Sequence, residues 1–202
     1  MTTTVDFIFD FASPNAYLCH QVLPEISERT GATFTYIPCL LGGIFKSTGN
    51  QAPMMAFNGI KGKLEYDGLE MRRFIERHNL TKFKMNENFP VITLLLMRGA
   101  VAAEMDGRLM DYVEAGLSHM WEQGLKMDDP EVYAEAMTNA GFDGKDLLER
   151  TQDPAVKQKL VDNTQAAVDR GAFGIPTFYV GDEMFFGKER LGQLEEEIVK
   201  QS

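Results

Sequence analysis

V-D-F-I-F-D-F-A-S-P-N-A-Y-L, residues 5–18, holds the main clue to the architecture. Val5, Phe7, Phe9 and Phe11 recur at every second position, the period of a strand. Ser13-Pro14 follows at once, an N-cap residue and then proline at the first helical position. The helix is expected to reach about Arg29, with Leu18, Val22 and Ile26 on one face, a kink at Pro24 and Gly31 just past its end. Thr33–Ile37 then reads as a second strand. Strand, helix, strand in this order predicts a parallel pair.

Working outward, residues 42–59 are rich in Gly, Asn and Pro and read as a long loop. From Lys61 to Asp169 the pattern is almost wholly helical. Leu109, Tyr112, Val113, Gly116, Leu117 and Met120 form one apolar stripe. Asp129-Pro130 and Asp153-Pro154 each read as a cap that opens a helix, and Gly171 as the end of the second. Thr177–Val180 and Glu183–Phe186 then read as strands joined by a Gly181-Asp182 turn. A last helix carries Leu191, Leu194 and Ile198 on one face. Neither end of the chain can cover a sheet alone, so the two are expected to share one mixed sheet with helices on its faces. The expected class is α/β, with residues 1–42 plus 166–202 in one domain and 43–165 inserted as an all-helical domain. A ligand site is expected in the cleft between them. This β-α-β … β-β-α layout resembles a thioredoxin-like domain with a large helical insertion.

Composition narrows the function classes. The 202 residues are 44% hydrophobic and 25% charged, ordinary for a globular protein. The longest apolar run, Val91 to Met97, is too short for a bilayer. The opening residues lack a basic segment and carry two Asp, so no signal peptide is expected. A net charge of −10 argues against nucleic-acid and anionic-membrane partners but leaves a small anionic ligand open. Cys19 and Cys39 form no C-x-x-C pair and no metal-ligand cluster, so no metal site is expected. A reducing cytoplasm is the simplest compartment.

Two places carry candidate chemistry. Ser13 stands where the first strand passes into the first helix, the place of the nucleophilic cysteine in a thioredoxin-type fold. Ser13-Pro14-Asn15-Ala16 cannot exchange two thiols. A hydroxyl there could still donate to a thiolate, which the helix dipole would favour; on spacing alone a plain N-cap is the commoner role. Gly174-Ile175-Pro176-Thr177 places proline at a strand start. A cis Pro176 opposite Ser13 would offer the Ile175 backbone to an extended ligand; an ordinary loop-to-strand proline is the simpler alternative. His20, His78 and His119 share no ligand spacing and read as structural. Cys19 lies well inside the helix and reads as a buried small hydrophobe. Tyr112 and Trp121 read as core, Met54, Met55 and Phe57 as a candidate apolar wall, and Glu195-Glu196-Glu197 as a solvated helix face.

Together these segments resemble the 2-hydroxychromene-2-carboxylate isomerase family, within the kappa-class glutathione transferase and DsbA-like group. The matching stretches are FDFASPNAYL at 9–18, GNQAP at 49–53, KGKLEYDGLEMRRF at 61–74 and GAFGIPTFYVGDEMFFGKERL at 171–191. The resemblance implies a glutathione cofactor that is not consumed and a bicyclic hemiketal acid from aromatic-ring degradation as substrate. It implies trans-o-hydroxybenzylidenepyruvate as product, reached by thiolate addition, bond rotation and departure. By the same resemblance Ser13 is the catalytic residue that holds the glutathione sulfur as thiolate. Ile175, before Pro176, pairs its backbone with the cysteinyl part. Asn50 lines the site, and Lys61 or Lys63 meets a substrate carboxylate. Lys188-Glu189 replaces the Ser-Asp pair that receives the γ-glutamyl end in the kappa pattern, Glu189 keeping the carboxylate one methylene further out. Related proteins are commonly dimers, which implies a homodimer here. Two other readings stand beside this one: a kappa-like glutathione transferase acting on electrophiles, and a non-catalytic thioredoxin-fold protein holding a thiol or peptide on the Pro176 edge.

Overall fold

The computed structural model describes residues 2–202. It opens with β1 (Thr4–Phe9), α1 (Pro14–Thr30) and β2 (Thr33–Pro38), and β1 and β2 run parallel with Phe7 opposite Tyr36. Ser13 caps α1: its backbone is extended and its Oγ accepts the Ala16 N–H at 3.2 Å. Gly31 closes the helix at φ +72°, a conformation in which any Cβ would be strained.

The expected loop at 42–59 is corrected. It holds α2 (Leu41–Thr48) and α3 (Pro53–Ala56). Gly42-Gly43 weakens helix propensity, but burial of Ile44 overrides it. Gly43 also permits close packing, because a Cβ there would sit 3.0 Å from Thr164 Cγ2. Next come α4 (Lys63–Arg77), α5 (Leu94–Met105), α6 (Leu109–Trp121), α7 (Pro130–Asn139), α8 (Gly144–Arg150) and α9 (Pro154–Asp169). A non-helical stretch, 78–93, interrupts the helical run that the sequence suggested, and it contains a cis Phe89-Pro90 bond. Asp129 and Asp153 cap α7 and α9 as expected. The chain ends with β3 (Thr177–Val180), β4 (Glu183–Phe186), a 3₁₀ turn at Lys188–Arg190 and α10 (Leu191–Gln201).

The four strands form one mixed sheet in the order β2-β1-β3-β4, with β3 antiparallel to both neighbours. Both ends of the chain therefore share one sheet, and β1 lies inside it. Phe7, Ile8 and Phe9 are all buried, so β1 is covered on both faces. Phe7 stacks on its cross-strand partner Phe178 at 4.7 Å. Leu191, Leu194 and Ile198 dock α10. In the triple-Glu run, Arg29 Nε and Nη2 hold both Glu195 oxygens at 2.7 and 2.9 Å in an exposed pair that ties α10 to α1.

The helical part and the sheet share one core. Trp121 Nε1 donates to the Phe11 carbonyl at 2.9 Å, and Gly116 lies against the Phe11 ring. The domain limits drawn at 42/43 and 165/166 fall inside α2 and α9. A second tie uses buried His20, whose Nδ1 meets Tyr36 Oη at 2.7 Å and whose Nε2 meets Glu114 on α6 at 3.1 Å. The His20 hydrogen bond holds the Glu114 carboxyl below its usual range. A depressed carboxyl stabilises the fold above its unfolded pKa, and that contribution is lost as pH falls through the folded value. Glu114→Gln is therefore expected to lower stability at pH 7 by less than about 1 kcal/mol, because Glu114 is largely exposed. Urea melts should show the difference shrinking as the pH falls through the folded carboxyl's titration and vanishing below it.

Candidate active site

Ser13 and Ile175 are 162 positions apart, yet Ser13 Oγ donates to the Ile175 carbonyl at 3.2 Å. The β1–β3 pairing makes this possible, because it sets the segment before β3 beside the end of β1. The Ile175-Pro176 bond is cis, the geometry that the sequence left open. Pro176 is anchored in turn: its carbonyl accepts the Gly187 N–H at 3.0 Å. Gly174 lets the backbone lie close to the Phe186 ring, which would stand 2.9 Å from a Cβ there. Ser13 itself is only 5% exposed.

Asn50 joins this group. Its Nδ2 donates to the Phe173 carbonyl at 2.7 Å, which lays the end of α2 on the segment before Pro176. Lys188 and Glu189 follow Gly187 and form an ion pair with each other. The Lys188 side chain is 4% exposed, and its Nζ lies 5.8 Å from the Phe74 ring centre. Both residues line a groove of about 790 Å³ between α1, α4 and α10; Ser13 is not among its lining residues. Lys63 pairs with Asp67 and covers the Phe57 ring, and Lys61 is exposed. Among the described residues, no hydrogen bond or ion pair joins either lysine to Ser13, Asn50 or Ile175.

Sequence reasoning missed two neighbours of Ser13. Asp10 is fully buried. Its Oδ1 accepts the Ala12 N–H at 2.8 Å and the Thr93 hydroxyl at 2.6 Å, and its Oδ2 accepts the Leu41 N–H at 2.7 Å. Burial pushes its carboxyl above the ordinary range, against the pull of those three donors. An acidic residue inside F-D-F was the available signal. The second is Asn15, whose Oδ1 is enclosed and has no partner. Both cysteines are buried and unpaired. Desolvation drives the Cys19 thiol far up and the Cys39 thiol to about 12, so neither is a nucleophile at neutral pH. Among the described residues, no three His, Cys, Asp or Glu are grouped to hold a metal. Among the described residues, no helix is long and apolar enough to cross a membrane.

A serine heading the first helix and facing a cis-proline across a mixed sheet marks a thioredoxin-fold protein that lacks the paired thiols of a disulfide exchanger. The chain belongs to the DSBA-like thioredoxin domain family, whose model matches residues 4–199. It is 28% identical over 192 residues to a 2-hydroxychromene-2-carboxylate isomerase of Pseudomonas putida, covering 95% of this chain and 92% of that protein. It is 27% identical over 214 residues to glutathione S-transferase kappa 1 of Homo sapiens, covering 93% and 87%. Among solved structures, a 2-hydroxychromene-2-carboxylate isomerase superposes with a TM-score of 0.83 at 26% identity, covering 98% of this chain and 95% of that one.

Proposed function

We propose that this chain is a glutathione-dependent isomerase. It interconverts 2-hydroxychromene-2-carboxylate, or a related aromatic-degradation intermediate, and trans-o-hydroxybenzylidenepyruvate. The observation that carries this reading is the Ser13–Ile175 hydrogen bond at the head of α1. The names of the relatives support the same class of chemistry. Glutathione, when bound, supplies the thiolate whose reversible addition to the conjugated system frees rotation about a carbon–carbon bond. Asn15 Oδ1 fits such a ligand: it is a buried acceptor without a donor, two residues beyond Ser13.

The chain's own residues have defined work. A free thiol ionises near pH 8.5, so a bound one needs help at neutral pH. Ser13 supplies a hydroxyl donor, and α1 has no acidic side chain in its first turn to oppose the positive end of its dipole. When the Ser13 hydroxyl turns to sulfur it releases the Ile175 carbonyl, which can then accept an N–H from the cysteinyl part of the ligand. One internal bond is thus exchanged for two to the ligand. Lys188-Glu189 receives the γ-glutamyl end, Asn50 lines the substrate side, and Lys61 or Lys63 meets the substrate carboxylate. A homodimer belongs to this reading. No α4 residue is fully buried: Met71, Phe74 and Ile75 rest on the core only partly covered, which leaves apolar surface for a second copy. Two buried, unpaired cysteines accord with a reducing cytoplasm. A transferase sharing Ser13 and Pro176 is the second reading, favoured by the kappa-class relative.

Isomerisation of 2-hydroxychromene-2-carboxylate followed by absorbance, with and without reduced glutathione, tests the proposal. A rate that requires glutathione is the expected result. A rate without it would exclude the thiol mechanism, and no rate under either condition would move the assignment to the transferase reading.

A further inference from the structure

Asp10 is the best-satisfied buried charge near the site, and its partners come from three separate parts of the chain. The Ala12 N–H belongs to the turn that delivers Ser13, and the Asp10 carbonyl also accepts the Ser13 N–H at 3.1 Å. The Leu41 N–H belongs to the first residue of α2. That helix has no side-chain cap of its own, since Leu40 stands at its N-cap position, so the Asp10 carboxylate does that work from 31 positions away. Gly49 caps the end of α2, and the next residue is Asn50, held on the Phe173 carbonyl. Thr93 stands at the N-cap position of α5, makes no capping bond, and donates its hydroxyl proton to Asp10, so the start of α5 is tied to this one carboxylate.

All three partners are donors, and they occupy both oxygens. Only an acceptor-only group satisfies them at once. An amide of the same shape would set an N–H₂ against the Leu41 N–H or against the Ala12 N–H. We infer that Asp10 is a positioning residue. It fixes the turn bearing Ser13, the helix leading to Asn50 and the start of α5 relative to one another, and so aims the Ser13 hydroxyl at the bound sulfur. This inference rests on the thiol-binding part of the function proposed above. Asp10 touches neither thiol nor substrate and acts through Ser13 and Asn50.

The test compares the full-length wild type with Asp10→Asn and Thr93→Val. Thermal melts establish folding. The thiolate absorbance of bound glutathione is then titrated against pH, and kcat and KM are measured separately. For a folded Asp10→Asn, kcat should fall by about 10- to 100-fold with substrate KM little changed. The bound thiol should titrate about one pH unit higher than in the wild type. Thr93→Val removes one donor and leaves the two backbone bonds, so it should shift both readouts in the same direction by less. It keeps the question open to test should Asp10→Asn not fold. Variants that lose stability yet keep the wild-type thiol titration and kcat would reduce Asp10 to a purely structural role and overturn the inference. The two failures are separable. A wild-type chain whose added glutathione titrates as free thiol sinks the functional proposal. A lowered wild-type titration that the variants copy sinks the Asp10 inference alone.

Discussion

Ser13→Ala should lower kcat/KM by about 100- to 1000-fold, the usual cost of removing one preorganised donor from a developing or bound anion. Folding should survive. The change deletes an N-cap worth about 1 kcal/mol. For a chain of this size that means a fall in Tm of about 2–4 °C. Glutathione should still bind, because the Ile175 backbone is intact and its carbonyl, freed of the Ser13 hydroxyl, can accept from the ligand. The bound thiol should titrate nearer to the free value. Steady-state rates, a glutathione titration and a thermal melt on the same preparation check all three. Unchanged turnover in a folded variant would remove Ser13 from the chemistry. Unchanged binding with lost turnover would exclude the purely ligand-holding reading of the fold.

Gly116→Ala should be the most disruptive small change near the site. An added methyl would lie 2.6, 2.9 and 3.1 Å from three carbons of the Phe11 ring. That ring is fully buried, with Phe9 and Tyr112 edge-on at 5.5 and 5.9 Å, so it has no free space to enter. Overpacking of this kind costs about 1–3 kcal/mol, or about 2–4 °C of Tm for each kcal/mol. Activity should fall as well, because Phe11 stands two residues before Ser13. Gly68→Ala in α4 is the control. Its methyl would meet only the flexible end of Arg72 at 3.8 Å, so better helix propensity should leave it neutral or slightly stabilised. Equal melting temperatures for the two variants would contradict the packing argument.

Much of this architecture was legible because local chemistry and tertiary structure agree. The alternation in V-D-F-I-F, the Ser13-Pro14 start and the two Asp-Pro caps each act within four residues, and each element formed where they point. α2 was not legible, because Gly42-Gly43 argues against a helix locally, while its N-terminal acceptor lies at Asp10 and its packing partner at Thr164. The Arg29–Glu195 pair was not legible for the same reason: its partners are far apart in sequence. Within the candidate site, the structure sets Ser13 against Ile175 beside the cis Pro176, and Asn50 against Phe173, contacts that strand order makes and that local sequence does not show. Asp10 escaped notice because a carboxylate between two phenylalanines does not reveal donors 31 and 83 positions away. The Lys63–Asp67 pair was open to reading from its i, i+4 spacing.

The single indole of the chain hangs from the backbone of the turn that carries Ser13. Trp121 is sealed from water, with Phe83 and Phe89 about 6 Å away. Its emission therefore reports on one place only. Any ligand that shifts the Phe11–Ser13 turn would perturb the Trp121 N–H bond and with it the fluorescence maximum, without a label and without a second tryptophan to dilute the signal. Trp121 emission is thus a label-free readout for any ligand that moves this turn.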